Sequence, residues 1–186
     1  MNKSDKDNLN YFYDYNIDIN TRTLYFGYGQ VDSDVELDHK LSSEMLKGLH
    51  LLNSLDVEDG EPIQIIMNCS GGDVDHGLAI YDAIRSSPSQ VIITVTGLAY
   101  SMAAWVLQAA DRRYITENSS IMIHDGDGPK DKWTKKQDIR CRDILLERIR
   151  EKNPDYTLAR LQRLLDTDTY LTAKEALELG LVDRIV

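Results

Sequence analysis

Cysteine is scarce in this chain, which has Cys69 and Cys141 and no other cysteine among its 186 residues. Two cysteines without a CxxC pair cannot build the disulfide framework of a small secreted domain. No HExxH motif and no Cys/His cluster offers the ligand spacing of a zinc site. These absences predict free thiols, no bound metal and a reducing compartment, and we expect the protein to be cytoplasmic.

The chain also has fewer positive than negative residues, and it lacks long apolar runs. The chain has 21 Lys and Arg residues against 31 Asp and Glu residues, a net charge of −10. Such an acidic chain is a poor match for nucleic acid or an anionic membrane surface. No stretch reaches the roughly 18 apolar residues of a membrane-spanning helix, and the polar first ten residues lack the apolar segment of a secretory signal. We therefore expect no nucleic-acid partner and no membrane association.

The remaining composition is that of a globular protein, with 42% apolar and 28% charged residues. We expect residues 1–10 to be a flexible tail and residues 11–186 to form a single domain. Strand-like runs alternate with helical periodicity, which predicts an α/β fold. The predicted strands lie within 11–35 and at 63–67, 91–96, 114–115, 120–124 and 181–186, and the predicted helices at 38–55, 74–86, 101–110, 133–152, 156–165 and 173–179.

Ser101 is a candidate nucleophile because it lies between a predicted strand and a predicted helix. A serine at a helix N-terminus is close to free N–H groups and to the positive end of the helix dipole, which together can hold an oxyanion. Gly97, Ala99, Ala103 and Ala104 are small enough to let a substrate approach. The alternative interpretation is that Ser101 only caps the helix.

His124 is the candidate base because it ends an apolar strand, and histidine is the usual base for activating a serine. It can equally be a hydrogen-bonded histidine without a catalytic role. The other three histidines do not lie at the carboxyl end of a strand, where sites in α/β folds usually form; they are His39, His50 and His76. Spacing alone does not identify the acid that would orient His124, and five candidates remain: Asp125, Asp127, Asp166, Asp168 and Asp183.

Two glycines, Gly71 and Gly72, directly follow a predicted buried strand. Glycines there would let backbone N–H groups approach a substrate without a side chain in the way, although a plain turn explains the pair as well. The segment is not a phosphate-binding P-loop because no GK[ST] follows. Cys69 beside the glycines is expected to be inert packing rather than a nucleophile.

Taken together, these segments resemble the proteolytic subunit of the Clp protease (ClpP), from about residue 14 to 186. The three most specific segments are residues 97–104 around the serine, 121–124 ending at the histidine, and 168–176 followed by 180–183. Their order, Ser then His then Asp, is also that of the family. The resemblance implies a Ser101, His124 and Asp168 triad, and it assigns no catalytic role to Asp183.

The resemblance also implies the remaining site residues. It assigns the oxyanion hole to the backbone N–H groups of Gly72 and Met102. It assigns the strip that pairs with an extended substrate to four consecutive residues, Gly71, Gly72, Asp73 and Val74. No metal and no organic cofactor is implied.

The implied fold is a crotonase-like spiral of ββα units, from which the charged helix at 133–152 protrudes as a handle. The implied assembly is a homo-oligomer of two stacked heptameric rings, fed by an ATP-driven (AAA+) unfoldase. Its implied activity is the hydrolysis of peptide bonds in unfolded proteins and peptides inside the closed barrel.

Two alternatives remain open. The chain could be a non-catalytic ring subunit, although such paralogues typically lack triad residues. It could also be an acyl-CoA enzyme of the wider crotonase group, which shares the spiral but generally uses carboxylates as acid and base. The presence of serine, histidine and aspartate together favours the peptidase.

Overall fold

The structure, a computed structural model, describes residues 11–12, 14–27, 36–55, 60–126, 128 and 131–186. The predicted tail 1–10 lies outside these residues, so its boundary at residue 10 stays a prediction. Strands and helices alternate along the chain, which confirms the predicted α/β class. The strands are β1 (Ile17–Asp18), β2 (Thr23–Phe26), β3 (Ile63–Cys69), β4 (Val91–Tyr100), β5 (Arg112–Ile115), β6 (Ser120–Ile123), β7 (Thr169–Thr172) and β8 (Arg184–Ile185). The helices are α1 (His39–Ser54), α2 (Val74–Arg85), α3 (Met102–Leu107), α4 (Lys132–Lys152), α5 (Leu158–Leu165) and α6 (Ala173–Leu179).

The centre of the fold is a largely parallel sheet in which β3 and β4 pair along most of their length. Its main path runs β1-β2-β3-β4-β5-β8. Every second residue of β3 is buried, as expected for a strand with one face in the core. Long helices connect parallel strands, so the carboxyl ends of β3 and β4 lie at the same edge of the sheet.

Strand β4 is longer than predicted because it continues through Gly97 to Tyr100. Gly97 has a φ of 116°, a conformation that favours glycine, and a register shift separates the pairs Met67–Val95 and Cys69–Ala99. The strand pairs with β5 before this point and with β6 after it. A glycine that normally signals a strand end is here the place where one strand changes partners.

The predicted handle is helix α4, whose buried residues all lie in its C-terminal half: Leu145, Leu146 and Ile149. The N-terminal half is held by a cap, in which the Asp131 carboxylate accepts hydrogen bonds from the N–H groups of Trp133 and Thr134. Trp133 and Ile139 each leave more than half of their surface exposed. One side of this half is therefore exposed, while its other side contacts the domain through Gln137, which donates to Asp75, and through Cys141, which packs against the core.

Two elements near the C-terminus differ from the prediction. Strand β7 is absent from the predicted elements because its four residues run directly into α6 with no turn residue between them. The predicted strand 181–186 is reduced to β8, since Leu181 and Val182 pack into the core before it. Gly180 ends α6 in the left-handed conformation, as its position in the sequence predicted.

The C-terminal segment is fastened to the sheet by the buried Arg113. The guanidinium of Arg113 donates to Asp183 Oδ1 at 2.6 Å and, through Nη1, to Gln108 Oε1 at 2.8 Å and to the Gly180 carbonyl at 3.0 Å. Arg113 is 4% exposed, so these partners are needed to offset the cost of burying its charge.

Candidate active site

Strand register brings Ser101 and His124 together. Strands β4 and β6 are parallel neighbours with Tyr100 opposite Met122. Ser101 directly follows the last residue of β4, and His124 directly follows the last residue of β6. Both side chains therefore leave the carboxyl edge of the sheet, where sites in parallel folds usually form.

The register of β7 brings Asp168 to the same place. Strand β7 runs antiparallel to β6, with Ile123 opposite Thr169. Continuing that register by one residue sets Asp168 opposite His124. Residues that are 44 positions apart in sequence thus become cross-strand neighbours, and the Asp168 carboxylate contacts the His124 ring.

The three side chains form a connected hydrogen-bonded line. Ser101 Oγ is 2.8 Å from His124 Nε2, and His124 Nδ1 is 3.2 Å from Asp168 Oδ1. The His124 side chain is 14% exposed, whereas that of Asp168 is 60% exposed. In this arrangement Nε2 can take the serine proton while Asp168 fixes the tautomer that carries a proton on Nδ1.

The backbone of Ser101 adopts a conformation that an L-residue rarely takes, with φ 47° and ψ −131°. Its N–H donates to the Met122 carbonyl at 2.9 Å, which ties the turn to β6. Ser101 occupies the N-cap position of α3, but its side chain makes no capping hydrogen bond. The hydroxyl is turned toward His124, so the turn directs the serine at the imidazole and does not cap the helix.

The Gly71–Gly72 strip runs beside this turn. Leu37 pairs with it on one side, where the Leu37 N–H donates to the Gly71 carbonyl at 2.6 Å and the Asp73 N–H donates to the Leu37 carbonyl at 2.8 Å. In a trans peptide the carbonyl and the N–H point to opposite sides, and the Gly71 carbonyl and the Asp73 N–H both point to Leu37. The N–H and carbonyl of Gly72 therefore face away from Leu37.

Gly71 packs directly against residues 100–102, called here the nucleophile turn because they hold the candidate nucleophile Ser101. A Cβ added at Gly71 would lie 2.5 Å from the Tyr100 carbonyl oxygen, 2.7 Å from Ser101 Cβ and 2.9 Å from the Met102 nitrogen. Its φ of 94° is also a conformation that favours glycine. Met102 is the first residue of α3, so its N–H has no acceptor within the helix.

Ser101 and His124 open onto a pocket beside α4. Its apolar wall includes Val74, Met102 and Trp105, and Cys141 also lines it. Burial, and then the nearby charge of Asp138, raises the pKa of the Cys141 thiol to about 11. The thiol is therefore neutral near pH 7 and is part of the pocket lining only.

The competing candidates have other partners. Burial raises the pKa of the Cys69 thiol to about 11, which agrees with the expectation that it is inert. His39 and His76 contact each other, with ring centroids 5.4 Å apart. The remaining acids are accounted for as follows: Asp183 pairs with Arg113, Asp125 and Asp166 bind Gln162, and Asp127 lies outside the described residues.

No metal centre is found in the part of the chain that the structure describes, since no three His, Cys, Asp or Glu side chains there form a group that could hold an ion. Among the same residues, no helix has the length and apolar character needed to cross a bilayer.

The sequence matches the Clp protease family over residues 18–186. The chain belongs to the Clp protease family. An ATP-dependent Clp protease proteolytic subunit of Protochlamydia amoebophila is 35% identical over 160 residues, which are 81% of this chain and 76% of that protein. The corresponding subunit of Deinococcus radiodurans is 33% identical over 158 residues, with the same two coverages. The prediction of a peptidase subunit of the Clp type is confirmed at this level.

Solved structures give the same result for the fold. A mutant of ClpP1 from Listeria monocytogenes matches with a TM-score of 0.78 and 27% identity, over 90% of this chain and 92% of that chain. ClpP has the crotonase-like fold, so the predicted crotonase-like fold of this family member is confirmed.

Two features of the site were not predicted from the sequence. One is the pairing of Leu37 with the glycine strip, for which a single leucine in a long polar stretch gives no signal. The other is the hydrogen bonding of Asp125 and Asp166 to Gln162, which lies on a predicted helix with nothing in its sequence to mark it.

Proposed function

We propose that this Clp protease family member is a serine endopeptidase in which Ser101 is the nucleophile, His124 the general base and Asp168 the orienting acid. The observation that carries the proposal is the pair of contacts joining the three side chains, at 2.8 Å and 3.2 Å. Serine and histidine at hydrogen-bond distance, with an acid on the second imidazole nitrogen, are what nucleophilic catalysis of acyl transfer requires.

The reaction follows from the geometry. Ser101 Oγ attacks the scissile carbonyl carbon as His124 Nε2 takes the hydroxyl proton. The tetrahedral intermediate collapses, the C–N bond breaks, and His124 returns the proton to the leaving amine. A water molecule, activated by His124 in the same way, then hydrolyses the acyl-enzyme.

We assign the oxyanion hole to the N–H groups of Gly72 and Met102. Support comes from the close packing of Gly71 on the Ser101–Met102 peptide and from the orientation of the Gly72 N–H away from Leu37. Each donor of this kind is typically worth about 10²–10³ in rate.

The substrate would lie along the free side of the strip Gly71–Val74. Leu37 covers the opposite side of the strip, so an extended peptide could add along the free side as a further strand. Backbone pairing of this type accepts many sequences, which suits an enzyme that degrades unfolded proteins and peptides.

The assembly is also part of the proposal. We infer a homo-oligomer of two stacked heptameric rings in the cytoplasm, fed by an AAA+ unfoldase, and the N-terminal half of α4, with its exposed Trp133 and Ile139, would supply the contact between rings. Fourteen chains of 21.2 kDa would give a native mass of about 300 kDa, which native mass spectrometry can measure.

The alternatives fit the site less well. A non-catalytic ring subunit has no need of an aligned Ser101, His124 and Asp168. A crotonase-type acyl-CoA enzyme would need carboxylates as acid and base, yet Asp125 and Asp166 are hydrogen-bonded to Gln162.

Ser101→Ala tests the proposal, with cleavage of fluorogenic peptides as the measurement. We expect the rate to fall by at least about 10³-fold while the fold is retained, because only the nucleophile is lost. Ser87→Ala is the matched control, since Ser87 has a half-buried, hydrogen-bonded hydroxyl at the opposite end of the sheet. Peptide cleavage by Ser101→Ala at the wild-type rate would refute the proposed nucleophile.

A further inference from the structure

A single glutamine joins the two loops that carry His124 and Asp168. Gln162 on α5 donates from Nε2 to Asp125 Oδ2 at 2.8 Å and to Asp166 Oδ1 at 2.9 Å. Asp125 is the residue after His124, and Asp166 is two residues before Asp168. One amide group therefore contacts a residue next to His124 and a residue close to Asp168 in the sequence.

The orientation of the Gln162 amide is fixed by its partners. Arg142 Nη1 on α4 donates to Gln162 Oε1 at 2.7 Å, and a guanidinium can only donate. Carboxylates near neutral pH can only accept, so the Gln162 NH₂ must face Asp125 and Asp166. Glutamine is suited to this place because its side chain accepts one hydrogen bond and donates two.

The bridge also separates like charges. Asp125 and Asp166 approach the same nitrogen, so their carboxylates would repel each other if the amide between them were removed. The C-terminal end of α5 adds backbone support on both sides. The Asp125 N–H donates to the Leu165 carbonyl at 2.8 Å, and Thr169 Oγ donates to the Leu164 carbonyl at 2.6 Å.

We propose that Gln162 is a positioning residue that holds the His124 and Asp168 loops at the separation needed for their contact. This inference rests on the proposed function of the triad. The β6–β7 pairing ends at Thr169, one residue before the 3.2 Å contact between His124 and the 60% exposed Asp168, so the contact also depends on how the two loops beyond the pairing are held. A small separation of the loops would leave Asp168 unable to orient the imidazole.

Gln162→Leu and Gln162→Glu test the proposal in the assembled protein. Leucine removes every hydrogen bond, and glutamate keeps the shape and the Arg142 contact but sets a third carboxylate against Asp125 and Asp166. We expect both variants to lower kcat on a fluorogenic peptide by about 10- to 100-fold, with KM within about twofold, because misplacement of a catalytic group costs rate more than binding. Arg163→Leu, at an exposed neighbouring position on α5, is the control and should keep wild-type values.

A double-mutant cycle with Asp168→Asn separates positioning from a general structural defect. If Gln162 acts through the His124–Asp168 contact, adding Gln162→Leu to Asp168→Asn should lower kcat no more than about threefold further. A full 10- to 100-fold additional loss would overturn the proposal, as would wild-type kcat in both single Gln162 variants. Gln162→Glu keeps the test decisive if the leucine variant does not fold.

The same series distinguishes failure of the inference from failure of the proposed function. Wild-type kcat in both Gln162 variants, with Ser101→Ala and Asp168→Asn inactive, would remove the role of Gln162 and leave the triad in place. Wild-type activity in Asp168→Asn would instead refute the triad, and with it the inference.

Discussion

Two residues at the proposed site adopt positive-φ backbone conformations, which residues with a side chain rarely take. Ser101 has a φ of 47°, and Gly71 has a φ of 94° within van der Waals distance of the nucleophile turn. For a residue with a side chain, such as Ser101, a conformation of this kind costs of order 1–3 kcal/mol and persists only where surrounding contacts enforce it, whereas glycine adopts a positive φ without steric cost. Here the enforcing contacts are the Ser101 N–H bond to Met122 and the packing of Gly71. The Ser101 conformation directs Oγ at His124, and the missing side chain of Gly71 lets the strip lie beside it.

Gly71→Ala follows from this packing. The added methyl would meet the Tyr100 carbonyl, Ser101 Cβ and the Met102 nitrogen, so the nucleophile turn must shift. We expect kcat/KM on peptides to fall by at least about 10²-fold. Gly60→Ala is the control, since Gly60 also has a positive φ but has open space around it. Equal activity of the two variants would contradict the proposed role of the strip.

At this scale the sequence predicted some of the site and not the rest. Ser101 and His124 could be recognised from their places at strand ends. Asp168 could not be chosen from the residues alone, because its partner depends on the register of β7, a strand too short to predict. Family resemblance selected it, and the register supplies the physical reason. Gln162 had no local signal, because two of its three partners, Arg142 and Asp125, lie 20 and 37 positions away in the sequence.

Among the elements, β4 does most to shape the site. Its first half aligns with β5, and its second half turns at Gly97 to pair with β6, which delivers Ser101 next to His124. The Gly97 N–H donates to Ser119 Oγ at 2.7 Å, and the Leu98 N–H donates to Asn68 Oδ1 at 3.2 Å. The run of β-branched residues at 91–96 predicted the first half. The continuation through a glycine depends on these contacts across the sheet, which periodicity along one strand does not reveal.

Gly97→Ala is expected to destabilise this strand. A Cβ there would lie 2.5 Å from Asn68 Oδ1, and the φ of 116° is strained for any residue with a side chain. We expect the free energy of unfolding to fall by about 2 kcal/mol, measured by urea denaturation. Gly60→Ala should cost about 1 kcal/mol or less, and a loss for Gly97→Ala no larger than that would contradict this account of the strand.

Across the whole molecule, the pair Arg113–Asp183 links the end of the chain to the sheet. Burial alone would raise the pKa of the Asp183 carboxyl, but hydrogen bonds from Arg113 and its charge outweigh burial and hold that pKa below its ordinary value of 3.8. A carboxyl with a lowered folded-state pKa stabilises the fold above its ordinary pKa. That contribution is lost as the pH falls through the folded-state pKa.

Asp183→Asn is therefore expected to lower the free energy of unfolding by about 2 kcal/mol near pH 7. This is less than for a fully buried pair, because the Asp183 side chain is 32% exposed and solvent screens part of the interaction. The difference from wild type should shrink as the pH falls below 3.8, in urea unfolding followed across an acid series. A difference that stays constant across that series would contradict the proposed pairing.

Peptide hydrolysis by the proposed mechanism depends on the activation of Ser101 by His124. The most direct measurement is intact-mass spectrometry after treatment with a fluorophosphonate, which phosphonylates activated serines. We predict one adduct per wild-type chain, located on Ser101, and none on Ser101→Ala or His124→Ala. An unlabelled wild-type chain, or labelling that persists in His124→Ala at the wild-type rate, would contradict it.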